Sequence, residues 1–204
     1  MQKIEVTIPR ADVRWGAALG LLQAGFAMPA REGMSAREFM REILAFPDSY
    51  IEGVVSTVFL DDSPVDDIDA ARLAEGSRIA LSAAMPGLVG AVMRRNSPYA
   101  ALRESISYKK DGAVASSAAE GPPEIRVGLK LFNSVMTDRG PELLARGIYL
   151  QGEAAEEALR SLEVETHGTS GEGARAGSAK NGAASMPLPA PSSEIFLRIV
   201  EAQL

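Results

Sequence analysis

The stretch from Val54 to Gly90, VVSTVFLDDSPVDDIDAARLAEGSRIALSAAMPGLVG, constrains this chain more than any other. Its opening is rich in β-branched residues, which are stiff in helices and pack well on a pleated surface. Val54 to Leu60 therefore reads as a central strand. Asp61-Asp62-Ser63-Pro64 supplies a tight turn, because Asp tolerates left-handed backbone angles and Pro fixes its own φ. A short extended piece and a one-turn helix come next, and Gly76 turns the chain into a second strand, Arg78 to Ala83. There Ile79 and Leu81 alternate with Arg78 and Ala80, the period of a half-buried strand. That strand runs directly into Met85-Pro86-Gly87.

Upstream, Ile4, Val6 and Ile8 alternate with Glu5 and Thr7 until Pro9 ends the strand or places it at an edge. Residues Val13 to Ala24 are apolar and Gly-rich, a helix or an irregular hairpin arm, and Phe26 to Ala30 is a second short strand. Ser35-Ala36-Arg37-Glu38 is a capping box, in which serine and glutamate each satisfy the other's backbone N–H. The helix it opens carries Phe39, Met40, Ile43 and Leu44 as one apolar stripe, and Pro47 stops it. Strand, strand, helix, strand, turn, strand is a compact α+β unit.

Three segments, MPAREGMSAREFMREIL, VVSTVFLDDSPVD and LAEGSRIALSAAMPG, carry a family resemblance. Over about the first ninety residues the chain resembles the sulfur-carrier β-grasp (ubiquitin-like) proteins. These include the small subunit of molybdopterin synthase and the thiamine-biosynthesis sulfur carrier. The resemblance implies a β-grasp fold and a reactive glycine tail. Carriers of that family end in Gly-Gly, whose carboxylate is adenylated and converted to a thiocarboxylate. This sequence has no Gly-Gly, Leu88 follows Gly87, and the chain continues to Leu204. A peptide bond cannot be adenylated, so the carrier chemistry would require cleavage after Gly87.

Composition removes most other chemistries. The net charge of −6 favours neither nucleic acid nor anionic membrane. The absence of cysteine excludes disulfides, thiolate nucleophiles and Cys-ligated metals, and fits a reducing compartment. No apolar run spans a bilayer and the N-terminus lacks a signal-peptide hydrophobic region, so the expected location is cytoplasmic. Asp61, Asp62, Asp66, Asp67 and Asp69 lack EF-hand spacing and read as a solvated turn, so no metal site is expected. The single histidine, His167, lies in a low-complexity stretch, and neither a G-x-S-x-G elbow nor a phosphate-binding glycine loop is present. No catalytic residue and no cofactor is assigned, and the chain leans away from being an enzyme.

Beyond Gly90, Ser97 and Pro98 open a basic helix candidate, and Asp111 to Pro123 reads as a linker. Ile125, Val127, Leu129 and Leu131 alternate as a strand, followed by a helix from about Ser134 that is interrupted at Gly140-Pro141 and capped by Gly147. Ile148 to Leu150 is a short strand and 153–162 a further helix. Residues 163–193 collapse to Gly, Ala, Ser and Pro, too little apolar surface to offset the entropy of ordering. The apolar residues of 194–204 form a strand or helix that docks on the chain's own core or on another subunit.

The expected fold class is α+β: a β-grasp domain over 1–92, a basic helix and linker over 93–123, and a smaller α/β extension over 124–162. A disordered linker over 163–193 and a docking segment over 194–204 complete it. The expected partner-binding residues are Met85, Pro86, Gly87, Leu88 and Val89, with Arg94 and Arg95 beside them, because an apolar stretch with two glycines is unusual in an exposed loop. Arg94, Arg95, Arg103, Lys109 and Lys110 read as an exposed solubilising helix face. The function expected is a non-catalytic interaction or adaptor module whose partner is a protein or a second copy, without nucleic acid or membrane. The alternatives are a carrier or enzyme-accessory protein activated by cleavage after Gly87, and a small-molecule binding protein with its site between the β-grasp domain and 124–162.

Overall fold

The computed structural model describes residues 3–10, 13–109, 121–151 and 194–200. Along the chain run strand β1 (Lys3–Pro9), helix α1 (Trp15–Ala24), β2 (Phe26–Arg31), α2 (Ala36–Glu38, continued by a π-turn over Phe39–Ile43) and α3 (Asp48–Gly53). Then come β3 (Thr57–Leu60), β4 (Ser63–Pro64), β5 (Arg78–Ser82), α4 (Gly87–Met93) and a 3-10 turn at Ala100–Arg103. The last are β6 (Glu124–Phe132), α5 (Asn133–Arg146), β7 (Ile148–Gln151) and β8 (Glu194–Val200). The chain divides into two compact units, Leu22–Pro141 and a discontinuous one of Met1–Leu21 with Glu142–Leu204. Both mix helix with strand.

The division expected at residue 92 is not followed, and strand pairing is the reason. In the larger unit the strand order is β2-β6-β5-β3-β4. β2 pairs antiparallel with β6, which runs parallel to β5, and β3 is antiparallel to both β5 and β4. The strand beside β2 thus comes from Glu124–Phe132, not from the N-terminal strand, and the segment expected to form a separate extension is part of this sheet. Val58, Leu81 and Leu131 form one cross-strand row, and Leu60, Ile79 and Leu129 the next. All six are buried on one face with Phe39, Met40 and Leu44 in the core. Burying each such side chain is worth about 1.5–3 kcal/mol relative to leaving it exposed.

In the smaller unit β1 pairs parallel with β8, which pairs antiparallel with β7. The C-terminal apolar segment is therefore a strand, with Leu197 between Val6 and Ile148. Gly147, at φ +105°, ends α5 where any Cβ would collide with the ring of Phe196. That helix is continuous through Pro141, contrary to the interruption expected at Gly140-Pro141. Proline withholds one N–H, and buried Val135, Leu143 and Leu144 anchor the turns on either side. Most of the 111–123 linker, the 153–162 helix and the 163–193 stretch lie outside the described residues.

Local signals in the larger unit acted as their chemistry dictates. Ser35 Oγ accepts from Glu38 N at 3.1 Å, and Glu38 accepts from Ser35 N at 2.7 Å. Asp61 and Asp62 adopt φ of +48° and +66°, the left-handed pair that a two-residue hairpin demands, and join Leu60 to Ser63. The capped helix ends before Pro47, as expected, and Pro47 also caps a new helix, its carbonyl accepting from Tyr50 N and Ile51 N. That helix takes up the residues up to Gly53, so β3 begins only at Thr57 and lies fourth of five strands rather than centrally. The one-turn helix expected after Asp66 is a turn at 68–70.

Ser35→Ala is expected to cost about 1 kcal/mol in urea unfolding, since it strands the Glu38 N–H. The Glu38 carboxylate is held below its ordinary range, chiefly by the Ser35 backbone N–H and then by the Ser35 side chain. A depressed carboxylate stabilises above its unfolded pKa, and that contribution disappears as pH falls through the folded value. The stability gap between wild type and Glu38→Gln should therefore be full at pH 7 and begin to narrow only as pH falls below the ordinary glutamate value of about 4.3. A gap that does not narrow at all on acidification would contradict this linkage.

Candidate functional site

β5 leads through Ala83 and Ala84 into a segment, 85–108, that belongs to neither the sheet nor the helices facing it. Gly87 stands at φ +76°, open to a residue without Cβ. Gly90 is buried, and a Cβ there would overlap the Met85 carbonyl. The two glycines that seemed unusual for a loop thus have a structural purpose: they let α4 start abruptly against the chain that enters it.

Two arginines fasten this segment to the larger unit. The Arg95 side chain, 7% exposed, donates to the carbonyls of Ile51 (3.0 Å) and Val55 (3.2 Å) and lies 3.6 Å from Glu52. Burial lowers its pKa, opposed by the nearby Glu52 carboxylate. Arg103 is more deeply enclosed, with a side chain 1% exposed. Its guanidinium donates to Asp66 Oδ1 at 2.6 Å, Ser107 Oγ at 2.7 Å, Val92 O at 2.8 Å and Arg94 O at 3.2 Å. One planar cation therefore joins α4, the 3-10 turn and the loop after β4. Backbone bonds tie both flanks: Arg95 N to Ser56 O at 2.8 Å and Tyr108 N to Pro64 O at 2.9 Å.

Fastening the polar side inward leaves the apolar side outward. Among the described residues the large exposed hydrophobics are Leu88 and Val89 (each 70%), Leu102 (72%), Ile106 (51%) and Tyr99 (49%). All five lie on this one segment. Of the residues expected from sequence, Pro86, Gly87, Leu88, Val89 and Arg94 are exposed and Met85 is partly covered. Arg95 is a correction, since its side chain is an internal anchor and not a contact residue. Arg103 is a second correction, because a fully enclosed guanidinium cannot be part of a solubilising face. The basic helix expected from Ser97 and Pro98 is only a 3-10 turn at Ala100–Arg103, and Tyr99, Leu102 and Ile106, exposed around it, were not assigned to the surface site.

The acidic cluster is spent on structure. Asp61 accepts from Arg78 N, Asp62 pairs with Arg78, Asp66 holds Arg103 and Asn96 N, Asp67 caps Asp69 N and Ala70 N, and Asp69 pairs with Arg37. No helix among the described residues is long and apolar enough to cross a membrane. The chain matches no protein-family model, no curated protein and no solved structure.

Arg103→Ala removes the donor of Ser107 Oγ, Val92 O and Arg94 O, while Asp66, 37% exposed, keeps the Asn96 N–H. Leaving buried acceptors unsatisfied costs about 1–3 kcal/mol. Urea denaturation should show a loss of that order, whereas exposed Arg94→Ala should stay within about 0.5 kcal/mol. Equal, small effects from both would mean that Arg103 does not hold the segment.

Proposed function

We propose that this protein is a non-catalytic interaction module built on a sulfur-carrier-like β-grasp unit, and that residues 85–106 form its docking surface. The observation that carries the reading is the confinement of all five large exposed hydrophobics of the described residues to that segment. Scattered exposed apolar residues need no explanation, but a concentration on one rigidly held element marks a binding site. The strand arrangement supports the β-grasp part. β2, the capped helix, β3, β4 and β5 follow the expected order, and β6 stands antiparallel to β2 where the N-terminal strand was expected. On this reading the grasp is completed from its C-terminal side.

The fate of the glycine tail favours an adaptor over a carrier. Gly87 opens a helix whose next turn, at Gly90, rests on the Met85 carbonyl, so the Gly87–Leu88 bond is part of a packed connection. Arg95 and Arg103 are committed to holding that connection in place.

Leu88→Asp and Val89→Asp change exposed side chains and should leave the thermal midpoint within about 2–4 °C of wild type. Both should abolish formation of the native complex, measured by size-exclusion chromatography of tagged protein from its host. Intact mass of that protein should give the whole chain. A product ending at Gly87, or bearing an added sulfur, would replace the adaptor reading with the carrier one.

A further inference from the structure

We draw no further inference here: the strongest candidate, the exposed apolar face of Leu88, Val89, Leu102 and Ile106 on the 85–106 segment, belongs to the docking surface already described, and nothing in the structure shows what covers it.

Discussion

The guanidinium of Arg103 is the interaction on which the candidate surface depends. A cation this deeply enclosed survives only if nearly every donor is used, because an unpaired buried charge costs several kcal/mol. Here the carboxylate of Asp66, two backbone carbonyls and a serine hydroxyl share it. Those acceptors come from separate stretches of chain, which Asn96 N to Asp66 and Tyr108 N to Pro64 also join, and the guanidinium fastens them at one point. Once fastened, the segment after β5 has a polar underside fixed to the domain and an apolar upper side with nowhere inside to go.

This arrangement explains why apolar residues stay in water without collapsing inward. Leu88 and Val89 are kept out by α4, whose start is set by two glycines, and Leu102 and Ile106 by the 3-10 turn that Arg103 pins from beneath. Arg95 acts in the same sense at the other junction, spanning the carbonyls that close α3 and lead into β3. Rigidity matters for binding, since a surface already ordered loses less entropy when a partner arrives.

The sequence was legible where a signal is local. The capping box at Ser35, the Asp61-Asp62 turn and the Gly147 cap all depend on a few neighbouring residues, and each took the form its chemistry predicts. Strand identity was also readable from alternation at Val6, Ile79 and Leu129. Strand partnership was not: β1 joins β8 from almost the opposite end of the chain, and β6 reaches β2 across about a hundred residues. Alternation tells which face is buried, not which strand lies alongside. The arginines failed for the same reason, because Arg103 becomes internal only through Asp66, thirty-seven positions away. The apolar run at Leu88 and Val89 was visible as composition, while Tyr99, Leu102 and Ile106 became part of the surface only through that long-range anchor.

Residues 85–108 are a fixed surface of the folded domain and not a loose connection that happens to be apolar. Native-state amide hydrogen exchange measures this directly, because protection reports hydrogen-bonded, closed backbone regardless of side-chain exposure. Arg95 N, Asn96 N and Tyr108 N, bonded to Ser56, Asp66 and Pro64, should exchange far more slowly than free peptide. Arg103→Ala should abolish that protection while the amides of β5 and β6 keep theirs. Exchange of these three amides at the free-peptide rate in the wild type would contradict a fixed surface.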